Sequence, residues 1–386
     1  MLRAATWDAV VVGGGPAGTA FALELARHGR RVALLERTRQ AQHKVCGEFL
    51  SRETVDLLAY LEIDVAAMGA TSLQQFRLVA SNRRADVPLP FRAKALSRLR
   101  MDEALLDIAA RRGVHVARGA RVSHIEYVNR GGIAVTGDGT WHGSVIGLAT
   151  GKHSLRGITR PTGKMVGFKI HLDAPYASRL LTETVQLAFF DGGYAGACMV
   201  EEGVLSVGWV VRDELLRKVG VGWREHSDFL SRRSVELADL LDGAQPLFEK
   251  PVSTARVPYG FLRSRPIAPM VYPVGDQLAV VPSFTGDGLA IALASGIAAA
   301  RAVAAGTAPE RFQRTIIGKL KPQFRLAAAL GGLLETPALC GLTVSAAQLL
   351  PKVAAQMVRA TRLRGFDDLA REGAPVKGAL RPETIG

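Results

Sequence analysis

The chain has 386 residues, 48% of them hydrophobic and 22% charged, which is enough for two domains with real cores. Lys and Arg outnumber Asp and Glu by 49 to 35, and the resulting formal charge of +14 suits anionic surfaces or reflects a compositional preference for Arg. Aromatic and basic residues do not interleave as they do where bases are stacked, and no Cys/His spacing suits a metal, so nucleic acid and metal are set aside.

The first element is an apolar strand, Trp7-Asp8-Ala9-Val10-Val11-Val12, that opens into Gly13-Gly14-Gly15-Pro16-Ala17-Gly18. A helix ending at Gly29 follows, then a second strand, Val32-Ala33-Leu34-Leu35, closed by Glu36 and Arg37. This is the order of a dinucleotide-binding βαβ unit. Gly13 allows the tight turn, Gly15 lets the backbone approach a pyrophosphate, and Gly18 lets the helix lie on the sheet, while Pro16, Ala17 and the first helical N–H groups meet the anion. A carboxylate at Glu36 accepts ribose hydroxyls and repels a 2′-phosphate, so the expected nucleotide is FAD or NAD and not NADP.

Next comes Lys44-Val45-Cys46-Gly47-Glu48-Phe49-Leu50-Ser51. Cys46 beside Lys44 is either a reactive thiol or a small packed residue. Glu48 either assists a proton transfer or caps a helix that starts near Ser51, and Lys44 reads best as a solvated charge. Helical spacing then covers Ala95 to Arg112, followed by Gly113 and a strand at Val114-His115-Val116. Short strands are expected over Arg121–Tyr127, Gly132–Val135 and Ser144–Leu148, ending in Ala149-Thr150-Gly151.

From Lys164 to Val211 the pattern changes to alternating strands at 166–172, 185–190, 195–200 and 205–210, which read as an antiparallel sheet. His171 and Lys169 share a face there, and His171 reads best as a satisfied, non-catalytic residue. Tyr194, preceded by two glycines, leads a set with Trp209, Tyr259 and Phe284 that either lines an apolar pocket or packs the core. The chain then runs through Val274-Gly275-Asp276 and Pro282-Ser283-Phe284-Thr285-Gly286-Asp287-Gly288 into a helix of small residues from Leu289 to Ala304. That turn either presents N–H groups to a ligand or is an ordinary strand-turn-helix.

Three landmarks in this order, the fingerprint with Glu36, Ser97-Arg98-Leu99-Arg100-Met101-Asp102, and Gly275-Asp276 with Thr285-Gly286-Asp287-Gly288, resemble the FAD-dependent oxidoreductases of the geranylgeranyl reductase and aromatic hydroxylase (flavin monooxygenase) superfamily. The resemblance spans about residues 7–305. It implies an α/β fold in which a Rossmann-like FAD-binding domain (1–70, 95–163 and 260–310) is interrupted by an antiparallel-sheet substrate domain (71–94 and 164–259). A C-terminal helical cap (311–386) would follow. It also implies FAD contacts from Arg98 at the pyrophosphate, Gly275 and Asp276 at the ribityl chain, and the turn from Gly286 through Asp287 and Gly288 to Leu289 at the flavin edge. The Cys46-Gly47 pair resembles the Cys-Gly segment that geranylgeranyl reductases carry beside the flavin, and Phe189 to Tyr194 resembles the aromatic-glycine segment lining their lipid cavity. The Asp-Gly pair of NADPH-using hydroxylases is absent: Leu148 to Arg156 holds Lys152, His153 and Arg156 instead.

The expected protein is therefore an FAD-dependent oxidoreductase acting on a lipophilic small molecule, with Cys46, Glu48 and Tyr194 as catalytic candidates and an external electron donor, NAD(P)H or a reductase. Reduction of a carbon–carbon double bond in a prenyl or polyketide-like substrate through flavin N5 leads. Hydroxylation of an aromatic or polyketide substrate is the alternative, and a flavin electron-transfer protein the lesser one. No Trp-x-Trp-x-Ile-type motif speaks for halogenation. Three scattered cysteines, Cys46, Cys198 and Cys340, fit a reducing compartment, and Met1-Leu2-Arg3 lacks a following apolar run, so a cytoplasmic protein without a signal peptide is expected. The apolar stretch Thr336–Pro351 is too short and proline-broken to span a bilayer. With the basic residues Lys319, Lys321, Arg325, Lys352, Arg359, Arg362 and Arg364, the C-terminal helices either cap the FAD domain or also contact a membrane surface peripherally.

Overall fold

Two sheets organise the computed structural model, which describes residues 6–128 and 131–371. The first has seven strands. Its spatial order is His115–Arg118, Val32–Glu36, Thr6–Val12, Gly139–Leu148, Gly131–Thr136 and Val122–Val128, with Val271–Pro273 also paired to Gly139–Leu148. Pairings around Thr6–Val12 are parallel, and the last two strands add an antiparallel meander. The opening strand is apolar at consecutive positions because both of its faces are covered: Ala9 and Val11 enter one core cluster, Val10 and Val12 the other.

Close backbone packing fixes the fingerprint. Gly13 has φ +110°, and a Cβ there would lie 2.3 Å from the Ala149 carbonyl oxygen, while one on Gly18 would lie 1.9 Å from that of Gly13. The helix Pro16–Arg27 then packs along Gly288–Ala304, where a Cβ on Gly296 would lie 2.3 Å from the Ala17 carbonyl oxygen. The small residues of Gly288–Ala304 are there to let two helices touch through their backbones.

The second sheet has nine strands in the order Gln245–Pro246, Met165–Asp173, Leu205–Arg212, Gly193–Met199, Thr184–Phe190, Thr71–Ala80, Arg83–Ala95 and Phe49–Leu50, with Val252–Val257 also on Met165–Asp173. It is antiparallel except where Thr184–Phe190 runs parallel to Thr71–Ala80. One face is covered by the helices Trp223–Ser231 and Val235–Leu241, whose Phe229, Leu230, Leu237 and Leu240 join Phe168 and Trp209 in a core. The other face carries Leu78, Val87, Leu187 and Phe189, which meet Cys340, Val344 and Ala347 from the C-terminal helices.

Those helices, Pro309–Glu335, Pro337–Leu349 and Pro351–Ala360, each start with proline in the first turn, where its missing N–H costs nothing. The fold class is thus the expected α/β arrangement of two sheets with a C-terminal helical segment. Three particulars differ from expectation. The helix foreseen over 95–112 is Arg98–Arg111, because the long strand Arg83–Ala95 claims its first residue and Ser97 becomes the cap, its Oγ accepting from Arg100 N. Phe49–Leu50, inside the stretch assigned to the nucleotide domain, pairs with Lys94 and Ala95 of the second sheet. The 71–95 stretch is a hairpin turning at Ser81, which has φ +54°.

Gly296→Val should destabilise the protein by about 1–3 kcal/mol through overpacking against the Ala17 backbone. Urea denaturation of the variant beside Gly288→Ala, whose Cβ would meet nothing within 4 Å, checks it; the Gly288 variant should stay close to wild type.

Candidate functional site

A cavity of about 530 Å³ runs between the two sheets and under the C-terminal helices. At one end lie Gly15, Pro16 and Ala17. A Cβ on Gly15 would have nothing nearer than the Arg98 guanidinium at 4.0 Å, so this glycine borders open space. No side chain caps the helix Pro16–Arg27, which leaves its first N–H groups free for a ligand. Arg98 stands beside them, its Nε and Nη2 donating to both oxygens of Asp102 at 2.7 and 2.8 Å. Burial alone would lower the Arg98 pKa, but Asp102, with the Cys46 thiol adding to it, raises it further, so the cation is permanent. An uncapped helix start, a side-chain-free surface and a fixed guanidinium make a cradle that fits a pyrophosphate.

Glu36 is buried behind the glycine turn and does not itself line the cavity. Its Oε2 accepts from Gly14 N at 2.9 Å, and its Oε1 accepts from Thr38 N and Oγ1 at 3.0 and 2.8 Å. Burial works to raise its pKa, but the Thr38 and Gly14 donors and the Lys44 charge prevail and hold the carboxyl below its ordinary range. Arg37 is exposed and lies outside the cavity lining. Lys44 is not the freely solvated charge expected: burial lowers its pKa, against the pull of Glu36 and Asp102.

Midway, the cavity is lined by Cys46, Gly47 and Glu48 on one side and by Gly275, Asp276 and the Gly286–Leu289 turn on the other. Gly275 has φ +57° and donates its N–H to Ser295 Oγ at 2.9 Å. Gly286 has φ +72°, and the helix after it again starts without a side-chain cap. Asp287 stands in this turn without lining the cavity itself: its side chain meets Arg362 Nη1 at 2.9 Å and Gln323 Nε2, while Arg362, which does line the cavity, donates Nη2 to the Thr285 carbonyl. Burial pushes Asp287 up to about 7 against the pull of Arg362.

Glu48 is the most heavily partnered group of the site. It is fully buried at φ +57°, a conformation that costs a non-glycine residue about 1–2 kcal/mol. Four donors reach its carboxylate, Lys169 Nζ, His171 Nε2 at 2.6 Å, Ser206 Oγ at 2.8 Å and Arg98 N at 2.7 Å, while its own N–H donates to Cys46 Sγ at 3.4 Å. Burial raises its pKa, but His171 and Lys169 outweigh that and bring it down to about 2. Glu48 is therefore a permanent carboxylate and does not carry the proton foreseen for it. Nor does it cap the helix near Ser51, which uses its own Ser51 hydroxyl; it serves the first amide of Arg98–Arg111 instead. Lys169 was missed in this role, although its place two residues before His171 in an apolar strand was the available signal.

The far end is apolar. Phe76, Leu78, Val185, Leu187 and Phe189 come from the second sheet, and Leu330, Leu334, Ala347 and Val358 from the C-terminal helices. Tyr194, Trp209, Tyr259 and Phe284 all line the cavity as pocket residues. The Tyr194 hydroxyl bonds Ser283 Oγ, which bonds Tyr259 Oη at 2.7 Å. Lys152 also reaches the lining and donates to the Val45 carbonyl at 3.3 Å.

A parallel dinucleotide-type sheet, an anion cradle and a cavity shared with a second sheet define a flavin- or nicotinamide-binding enzyme built from two sheets. Residues 6–138 match the FAD binding domain family, and the protein is an FAD-dependent oxidoreductase. Among curated relatives, the putative FAD-dependent oxidoreductase LodB of Marinomonas mediterranea is 48% identical over 65 residues, only 17% of this chain and 17% of that one. The menaquinone reductase of Mycolicibacterium smegmatis is 26% identical over 322 residues, 78% of this chain and 76% of that one. Among solved structures, the flavin-dependent brominase Bmp2 superposes with a TM-score of 0.74 at 16% identity over 95% of this chain and 97% of its own. A geranylgeranyl bacteriochlorophyll reductase-like protein from Thermoplasma acidophilum gives 0.72 at 17% identity over 95% and 98%. The two structures share the fold.

Gly15→Val should give a folded but colourless protein, because the added side chain enters the cradle without touching the core; retained flavin absorbance after purification would refute the placement. Glu48→Gln should cost about 3–5 kcal/mol at neutral pH by leaving Lys169 buried without its counter-charge. The wild-type carboxyl titrates at about 2 folded against about 4.3 unfolded, so its contribution is complete above the unfolded value and lost as pH falls towards 2. Urea midpoints of the two proteins should accordingly converge in acid.

Proposed function

We propose that this enzyme reduces a carbon–carbon double bond of a lipophilic prenyl or polyketide-like molecule. The observation that carries the reading is the continuity of the cavity. It passes from the anion cradle at Gly15 and Arg98, past Cys46 and the Gly286 turn, into a chamber lined by aliphatic and aromatic side chains, as a hydrocarbon chain requires. Bound FAD, once reduced by an external donor, supplies a hydride. The residues of this chain supply the rest. Arg98 and the helix start would hold the diphosphate, Gly275 and Asp276 would meet the ribityl chain, and the Gly286–Leu289 turn would offer N–H groups to the flavin edge. Phe76, Leu187 and Phe189 keep water from the reacting carbons.

A proton must reach the second carbon of the double bond. Burial pushes the Tyr194 phenol well above its usual value, with Tyr259 adding to it, and pushes Tyr259 up to about 12. Both phenols are thus protonated at neutral pH, and Tyr194 Oη can give its proton to the substrate and take one back from Tyr259 through Ser283 Oγ. Cys46, half-buried on the cavity wall with its sulfur accepting from Glu48 N, orients the loop beside the flavin. The likeness to a menaquinone reductase over three quarters of both chains supports a reductive reaction on a prenylated substrate.

The test is anaerobic mixing of the reduced holoenzyme with a prenylated quinone and with a free prenyl alcohol, followed by mass analysis. We expect flavin reoxidation under nitrogen with a product heavier by two hydrogen atoms that keeps this mass gain after any quinol is reoxidised, slowed by about 10²-fold or more in Tyr194→Phe at unchanged flavin content. A product that gains oxygen, and only in air, would replace this reading with hydroxylation. Reoxidation without any change in the lipid would leave an electron carrier.

A further inference from the structure

The cavity opens through its helical roof, and the roof is the most apolar exposed part of the molecule. Leu333, Leu350, Val353 and Met357 line the cavity and are also 41–57% exposed, so they mark its mouth. Next to them Leu342 is 59% and Leu349 79% exposed. More than half of the exposed large hydrophobic residues among the described ones fall between 333 and 357. The helix Pro351–Ala360 buries no residue completely and carries Val353, Ala354, Met357 and Val358 in a single stripe that its cap residue Leu350 extends.

Charge completes the surface. From Thr336 to Phe366 the sequence has no Asp or Glu, while Lys352, Arg359 and Arg364 are exposed and Arg362 is turned inward onto Asp287. No single described helix is long and apolar enough to cross a membrane, and the pair Pro309–Glu335 and Pro337–Leu349 bends by 109° at its junction. An apolar face on helices that carry exposed cations and, from Thr336 to Phe366, no acid, with Glu335 exposed just before them, has the chemistry of an interfacial element: apolar side chains among acyl chains, cations at phosphate headgroups.

We propose that the roof formed by Pro337–Leu349 and Pro351–Ala360 docks on an anionic lipid bilayer, with the mouth at Leu333, Leu350, Val353 and Met357 facing the acyl layer. A lipophilic substrate then passes from bilayer to cavity without crossing water. The delivery step rests on the reading of the substrate as lipophilic; the docking itself rests only on the surface.

FAD-loaded protein is sedimented with vesicles of phosphatidylcholine alone and of phosphatidylcholine mixed with phosphatidylglycerol. Binding to the mixed vesicles is expected, weakened by salt. It should fall at least about tenfold in the double variant Leu342→Glu, Leu349→Glu, with flavin content and thermal midpoint unchanged since neither residue touches the cavity. Lys352→Gln should weaken binding to the mixed vesicles without changing that to phosphatidylcholine. Absence of binding to both vesicles, or equal binding by wild type and double variant, overturns the proposal. So does a lipid-free dimer that the double variant converts to monomer, which would give the face to a second copy of this chain. Because the assay involves no turnover, it succeeds or fails independently of the reductase reading.

Discussion

The buried carboxylate of Glu48 is the constraint on which the arrangement of the site depends. Its partners come from three places: Arg98 begins a helix on the first sheet, Lys169, His171 and Ser206 belong to adjacent strands of the second, and Cys46 precedes it in the connecting loop. Taking an ionised carboxylate and a lysine fully out of water costs several kcal/mol per ion, recovered only when geometry and hydrogen bonds are complete. The two sheets are therefore fixed at one relative position in which all donors reach at once. The loop pinned between them carries Cys46 and Gly47 into the cavity wall.

The local parts of this design were legible in the chain. The strand, glycine turn, helix and acidic terminus lie within Trp7 to Glu36, and each step is dictated by period, turn sterics or burial acting over a few residues. The alternation of Val166 to Leu172 announced a strand, and the glycines around Asp287 announced a sharp turn. What was not legible was partnership across distance. Glu48 could be singled out as an acid, but nothing near it names Lys169 and His171 as its counter-charges. Asp287 was singled out with its turn, but nothing near it names Gln323 and Arg362 as the partners of its side chain. The strands of the hairpin between Thr71 and Ala95 were not legible: Thr71–Ala80 lacks alternation, and in Arg83–Ala95, which alternates from Ala85 to Ala95, Pro88 and Pro90 argue against a strand.

The cavity owes its two characters to the two sheets. Where the parallel sheet ends, backbone amides and Arg98 make a polar end. Where the second sheet turns its open face towards the helical roof, side chains such as Leu187 and Phe189 make an apolar one. The phenols of Tyr194 and Tyr259 lie at the passage between them, among the few hydroxyl groups on an otherwise apolar wall. Polar chemistry and hydrocarbon are thereby kept within reach of each other but in separate solvents.

The roof is tied to the floor by one buried pair. Arg362, just beyond the last roof helix, meets Asp287 and the Thr285 carbonyl, both in the turn midway along the cavity. The two regions share a single free-energy balance: displacing the roof withdraws Arg362 from the turn, and reshaping the turn withdraws the roof's anchor. By thermodynamic reciprocity, whatever occupies the turn tightens the roof by the same factor by which a settled roof tightens that occupant.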